Sequence, residues 1–416
     1  MSSFPALRQR AALIARSVLR GVPDGVLARL LPGNLGWDPQ DVDVAEDGSA
    51  ARVRLLVAPA NSAGQGLRWA RAAREHLEDV SASNLMIETQ NMRRLAFAAD
   101  FSVPEGAYVF AHGWQRRQQR ALLRDFTHLL LESGRYPYGS VPGHTPLQAA
   151  EGLVDRGLRV ALIWHGSDIR LPSAHARWEK DSPFGEGGSH PHEATRLLES
   201  NAQARLQMIL DSDLPVFVST PGLLDVPRAV WVPVVIEPEV WRAEDPPLQR
   251  IRPVVAFAPS SSTLKGDASI DHDLLGLEAE GLIEYRRVEG VPSVQMPEIY
   301  RSADIVLDQF RLGDYGVAAC EAMAAGRVVI GHVHDDVRRR VRELTGMDLP
   351  IVESRFGALA ETIRHILDDR ARFIDHAATG QVFARLIHDG RRSAQALSDF
   401  LAASPAGPQH TQETIS

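Results

Sequence analysis

From Arg52 onward, short apolar runs alternate with stretches whose apolar residues recur every three to four positions. Continuous apolar runs suit strands buried on both faces, and the helical stretches between them supply the crossovers of a parallel sheet. The pattern predicts strands at 53–58, 108–111, 159–164, 216–219 and 230–235. A stretch over 237–253 then carries Pro238, Pro246, Pro247 and Pro253. Proline fixes φ and removes a backbone donor, so this stretch suits neither helix nor strand and reads as a connection. Beyond it the alternation restarts, with strands predicted at 254–258, 283–288, 305–309, 328–331 and 350–352. Two sheets of one type in series imply an α/β chain of two Rossmann-like domains facing a central cleft.

The expected organisation is an N-terminal helical extension over 1–50, a first Rossmann-like domain over 51–240 and a second over 250–385. A C-terminal helix over 386–403 and a polar, disordered tail over 404–416 complete it. The segment 171–193 is rich in Pro, Gly, Ser and His and has no period, which predicts a long loop near the cleft. In the extension, residues 4–31 place Phe4, Leu7, Ala11, Ile14, Val18 and Leu19 opposite Arg8, Arg10, Arg16 and Arg20. Such a basic amphipathic helix suits either an anionic membrane surface or a dock on the protein's own surface.

Composition narrows the function classes. A length of 416 residues with 44% hydrophobic residues suits two cores. The tally of 45 Lys and Arg against 53 Asp and Glu gives a net charge of -8, against a nucleic-acid partner. One cysteine, Cys320, excludes an internal disulfide and a thiolate metal cage. No run reaches the roughly 18–20 apolar residues of a membrane span. The expectation is a cytoplasmic protein, with residues 4–31 offering peripheral contact at the inner face of the membrane.

Four strand ends carry candidate chemistry. The first strand runs into Asn61, Gly64, Gln65 and Gly66, a small-residue turn that opens a helix and lets backbone N–H groups approach a ligand. It lacks the G-x-G-x-x-G spacing, which disfavours a nicotinamide enzyme. The strand 159–164 delivers His165, Asp168 and Arg170 at its carboxyl end, where doubly wound folds bind ligands. Asp168 or His165 suits sugar hydroxyls; Arg170 suits an anion, or a loop salt bridge with Asp168. The strand 254–258 ends in Ser260 and Lys265, and a lysine there is placed to neutralise a diphosphate leaving group. After 305–309 come Gly313-Asp314-Tyr315-Gly316, a helix with Glu321, and Gly326 at its end. Asp211-Ser212-Asp213 reads as turn chemistry. His175, His190 and His192 lack further ligands at metal spacing, so no metal is expected. Neither a nucleophile elbow nor a phosphate-binding P-loop is present.

The run from Gly313 to Gly316, with Glu321-Ala322-Met323-Ala324-Ala325-Gly326 and the strand after it, resembles the donor motif of glycosyltransferase family 4 (group 1) and its GT-B-fold relatives. Asn61–Gly66 resembles the N-terminal glycine loop of that group, His165–Asp168 its cleft histidine motif, and Lys265-Gly266 its lysine turn. The resemblance implies a donor set of Ser260, Lys265, Asp314, Tyr315, Gly316, Val317 and Glu321, with Glu321 on the ribose. It implies catalytic roles for His165, Asp168 and Lys265, and acceptor-side roles for Asn61, Gly64, Gln65, Gly66 and Arg170. Two departures mark a divergent branch: Gly313 stands where the family has a second glutamate, and Ser260 where it has an arginine. Arg311 and Arg301 are candidate replacements for the latter.

The implied function is metal-independent, retaining transfer of a sugar from a nucleotide-diphosphate-sugar co-substrate, without a further cofactor. The acceptor would be a glycan, lipid-linked or small, in surface polysaccharide or glycoconjugate synthesis. A nucleotide-sugar epimerase, a sugar-binding receptor and a catalytically silent nucleotide-sugar-binding relative are the rival readings.

Overall fold

The computed structural model describes residues 22–31, 35–39, 42–140, 143–258 and 268–402. The chain divides into two compact units, residues 1–163 with 399–416, and residues 164–398.

The first unit is built on parallel strands β1 (Val53–Ala58), β2 (Val80–Glu88), β3 (Phe101–Pro104), β4 (His128–Glu132) and β5 (Arg159–Trp164), ordered β3-β2-β1-β4-β5. Leu55 pairs with Ala82 on one side and His128 on the other, so β1 sits centrally. Its Leu55, Leu56, Val57 and Ala58 are fully buried, the result of helices covering both faces. The helix Gln65–His76 packs on β1 and β2 through Trp69, Ala70 and Ala73. Because β2 and β4 flank β1, the chain reverses sheet direction there, and the loop leaving β1 sits at a topological switch point.

The second unit opens with Trp164, the last residue of β5, whose carbonyl accepts from Ser219 N at 3.0 Å. Strands β6 (Val216–Val218) and β7 (Ala229–Trp231) pair in parallel beyond it. A separate five-stranded parallel sheet follows, made from β8 (Val254–Phe257), β9 (Glu284–Arg287), β10 (Ile305–Leu307), β11 (Val328–Gly331) and β12 (Val352–Glu353) in the order β12-β11-β10-β8-β9. Side chains alternate across a strand, and here the alternation separates two apolar layers. Val254, Ala256, Val306 and Val329 face a core with Ala319, Met323 and Phe383. Val255, Phe257, Ile305, Leu307, Val328 and Ile330 face another with Ile270, Leu274, Ile363 and Phe373. The order reverses between β8 and β10, so the segments leaving those two strands flank the switch point.

The pattern placed β1, β5, β6, β8, β9, β10 and β11 correctly, overlapped β7 and β12 in part, and erred elsewhere. Residues 108–111, expected as strand, belong largely to the helix Glu105–Phe110, which starts after Pro104 in an extended conformation. A four-residue apolar run fits a buried helix turn as well as a strand, and proline at a helix entrance favours the helix. Strands β2, β3 and β4 were not anticipated. β2 carries Ser81, Ser83 and Asn84, which leaves only the short run Leu85–Ile87, while β3 spans only four residues. The expected loop 171–193 contains the helix Pro172–Trp178, with proline at its first position, before the longer helix starts at His192. Of residues 4–31, those up to 21 lie outside the described residues, as does the tail 404–416. The helix Asp24–Leu30 docks on the first unit: Leu27 is fully buried, and the Asp24 carboxylate accepts from Gly113 N (3.1 Å) and Trp114 N (3.0 Å). No helix among the described residues is long and apolar enough to cross a membrane.

Candidate functional site

In the first unit, the loop after β1 is shaped by a buried carboxylate. Glu132, at the end of β4, accepts from Ala60 N (3.0 Å) and Asn61 N (2.8 Å). Asn61 is left-handed (φ 50°) and fully buried; its Oδ1 accepts from Leu67 N (3.0 Å) and its Nδ2 donates to Ala98 O (2.9 Å). Gly64 follows at φ 73°. A Cβ on Gly66 would meet Glu132 Oε2 at 3.0 Å and Asn61 Cα at 3.2 Å, so glycine lets the helix start close to the strand ends without displacing either. Asn61 thus spends its amide on the backbone of Leu67 and Ala98, and Gln65 is buried as well.

In the second unit, His165 precedes the single helical turn Gly166–Ile169. The Asp168 carboxylate accepts from His165 N (3.2 Å), closing this turn on itself. Arg205, from the helix His192–Leu210, donates to Asp168 O (2.7 Å) and lies 3.8 Å from the Asp168 carboxylate. The salt bridge of Asp168 with Arg170 considered from the sequence is replaced by a different pair. Arg170 Nη2 meets Asp314 Oδ2 at 3.1 Å, joining the turn after β5 to the turn after β10. Asp314 is buried and Arg170 is largely so. Burial pushes the Asp314 carboxyl up and the Arg170 guanidinium down, and each charge is opposed by its partner's. Tyr315 N also donates to Asp314 (3.0 Å), and a Cβ on Gly222 would stand 2.4 Å from the same carboxylate.

The turn after β10 is organised by Gln309, a buried amide that uses both ends twice. Its Oε1 accepts from Leu312 N (2.6 Å) and Arg311 N (3.2 Å). Its Nε2 donates to His332 O (3.1 Å) and to Asp314 O. A primary amide offers two donors and one oxygen with two lone pairs, so its capacity is filled. Gly313 takes φ 62°, and Asp308 Oδ2 accepts from Gly316 N (3.3 Å). The helix Val317–Ala324 begins there. Tyr315 turns into the core, with its hydroxyl 3.4 Å from His388 Nε2. Burial, then the charges of Glu321 and Asp308, hold the Tyr300 phenol well above its ordinary range. Ser260 and Lys265 lie outside the described residues.

The segment 172–184 folds against the same turn. His175 is buried, and burial with the nearby Arg170 charge lowers its pKa to about 4. The neutral ring then donates from Nε2 to Leu312 O (3.2 Å) and accepts at Nδ1 from Ser182 Oγ (2.7 Å). Glu179 is 2% exposed and receives His332 Nε2 (2.7 Å), Arg355 Nη1 (3.0 Å) and Asp181 N (3.1 Å). His332 Nδ1 donates to Glu353 (2.6 Å), so both ring nitrogens face carboxylates and the ring is an imidazolium. Burial opposes that charge, but the hydrogen bonds to Glu179 and Glu353 outweigh it and raise the His332 pKa to about 9. For Glu179 burial is likewise outweighed by His332 and its other donors, and its pKa falls to about 2. Among the described residues no cluster of His, Cys, Asp or Glu is placed to hold a metal ion, and His190 Nδ1 lies 2.7 Å from Thr195 Oγ1.

Glu132, Glu179, Gln309 and His332 were not singled out from the sequence. Gln309 carried a signal, since the polar pair Asp308-Gln309 after a buried strand marks a strand end. Glu179 carried none, because its side-chain partners His332 and Arg355 are more than 150 positions away.

No family model matches this sequence, and no curated protein matches it. Among solved structures, the chain is similar to HepE from Anabaena in complex with UDP and glucose, with a TM-score of 0.54 and 11% identity over 84% of this chain and 99% of that one. The same protein in complex with UDP-glucose gives 0.53 and 11%, with 84% and 99% covered. Sucrose-phosphate synthase from Thermosynechococcus elongatus overlays more weakly, with a TM-score of 0.49 at 12% identity over 84% and 98% of the two chains. The HepE overlays, together with the parallel sheets and their switch points, establish the fold as the GT-B type, a pair of Rossmann-like α/β domains.

Proposed function

We propose that the protein transfers a sugar from a nucleotide-diphosphate-sugar to a glycan acceptor, as a divergent relative of glycosyltransferase family 4. The observation that carries the reading is the Arg170–Asp314 pair, which joins the His165–Arg170 turn to the Gly313–Gly316 turn in a GT-B-type fold. Support also comes from HepE, a fold relative crystallised with UDP-glucose. In this reading residues 51–240 serve the acceptor and 250–385 the donor, with Asn61, Gly64, Gln65 and Gly66 in the acceptor half. Glu321 binds the donor ribose.

The chemistry assigned is retaining and metal-independent. Breaking the glycosidic bond leaves positive charge on the sugar and extra negative charge on the diphosphate. Lys265, Ser260 and the backbone N–H groups opening the helix at Val317 answer the negative charge, since a helix N-terminus favours anions. His165 and Asp168 orient hydroxyls of the acceptor and the sugar. The setting proposed is surface polysaccharide or glycoconjugate assembly on the cytoplasmic side of a membrane.

A thermal-shift screen against UDP-, GDP-, dTDP- and ADP-sugars tests the donor site. A ligand that binds only the folded state raises its apparent stability, by about 2.7 kcal/mol at a hundredfold excess over Kd. One nucleotide class is expected to shift the wild type, and Glu321→Ala and Lys265→Ala to lose most of that shift. No shift with any nucleotide sinks the reading; consumption of donor without acceptor, yielding an epimer, replaces transfer with epimerisation.

A further inference from the structure

We infer that Trp178 is the surface on which the donor's hexose stacks, an assignment that rests on the nucleotide-sugar reading above. Gly313 takes φ 62° and presents no side chain. A Cβ built there would meet Glu179 Oε2 at 3.0 Å, Trp178 Cη2 at 3.2 Å and His334 Cβ at 3.3 Å. The bare side of the turn is thus lined by side chains from elsewhere in the second unit. Gly313 lies three residues before Gly316, where the helix assigned to the diphosphate begins. The group bonded to that diphosphate therefore lies beside Gly313.

Of the three neighbours, two are already committed. Glu179 is 2% exposed, and its oxygens serve His332, Arg355 and Asp181 N. His334 spends Nδ1 on Asp336 N (3.2 Å), capping the helix Asp335–Thr345. Trp178 is 42% exposed, and among the described residues nothing accepts from its indole N–H. It is also held rigidly. His175 meets it edge to face with ring centroids 5.0 Å apart, and His334 does so at 4.5 Å. His175 is fixed by its bonds to Leu312 O and Ser182, and the adjacent Glu179 anchors the end of the helix.

An indole fixed in place with two-fifths of its surface open suits one kind of ligand beside a diphosphate site. The C–H face of a pyranose covers apolar ring surface, while a hydroxyl accepts from the N–H at the ring edge. Little conformational freedom remains for the side chain to lose on binding, which favours affinity from a modest contact. The contact is to the sugar alone, so Trp178 sets which donor sugar is held while leaving the nucleotide untouched.

Calorimetric titration separates the two. Wild type, Trp178→Ala and Trp178→Phe are titrated with UDP, GDP, ADP and dTDP, each free and as its hexose conjugate. For the nucleotide that binds, Trp178→Ala should weaken the conjugate about fivefold, the scale of one aromatic stacking contact. It should leave the free diphosphate within about twofold, and Trp178→Phe should keep most of the conjugate's affinity. Equal losses with and without the sugar would mark Trp178 as a structural support and overturn the inference. So would unchanged affinity for both, or a wild type that gains nothing from the hexose; either result leaves the nucleotide-sugar reading standing. Failure of every nucleotide to bind the wild type removes both.

Discussion

Arg170 and Asp314 show what a single residue contributes to this site. Asp314 is buried and Arg170 largely so, so each would be costly alone, and their 3.1 Å contact offsets the loss of water. Removing one partner from such a pair typically costs about 3–5 kcal/mol, whereas replacing both by apolar residues is often nearly neutral. Arg170→Met is therefore expected to lower unfolding stability in urea by about 3 kcal/mol. Arg170→Met with Asp314→Leu should recover most of that loss. Equal destabilisation by the single and double variants would mean the pair contributes through packing and not through charge. Gln309 acts differently, because three of its hydrogen bonds fix backbone of its own turn and the fourth ties that turn to His332 O, which leaves no capacity for a ligand.

Among the elements, the segment 172–184 has the most to lose from a change in pH. His332 has a folded pKa of about 9 against an ordinary 6.5, so its contribution is complete below about pH 6.5 and disappears as pH rises through 9. Glu179 has a folded pKa of about 2 against 4.5, so its contribution is complete above about pH 4.5 and disappears as pH falls through 2. The clamp is at full strength between those limits, about pH 4.5 to 6.5. Thermal melts of wild type and His332→Gln should differ most in that window and converge toward pH 9. A difference that stays constant from pH 6 to 9 would show that the ring carries no charge to lose. His175 does not titrate in this range, since its pKa of about 4 keeps it neutral.

On the scale of the whole molecule, the described part of the N-terminal extension is a piece of the fold, because Asp24 caps a helix and Leu27 is buried. We propose that the peripheral membrane contact expected of residues 4–31 is made by the arginines before it. Replacing Arg8, Arg10, Arg16 and Arg20 with Ser should abolish sedimentation with anionic liposomes and leave the melting temperature within a few degrees. Binding that survives the change would place the contact elsewhere or remove it.

The alternation of apolar runs and helical periods was enough to predict parallel α/β architecture, because burial on both faces demands continuous apolar strands. It also located the turns after β1, β5 and β10, since small and polar residues directly after a buried run have nowhere else to go. It missed β2, whose serines read as loop, and took a helical turn near Tyr108 for a strand, because short runs carry no period. What only the tertiary structure decided is partnership. Asp168 and Arg170 are two residues apart and looked like a pair, yet one turns to Arg205 and the other to Asp314, more than 140 positions away. The sequence likewise showed an empty position at Gly313, and the fold placed Trp178 and Glu179 beside it. Local periodicity is set by hydrogen bonding and burial along the chain, and is written there. Which distant side chains meet at a switch point depends on strand order and turn geometry, and these exist only once the sheet has formed.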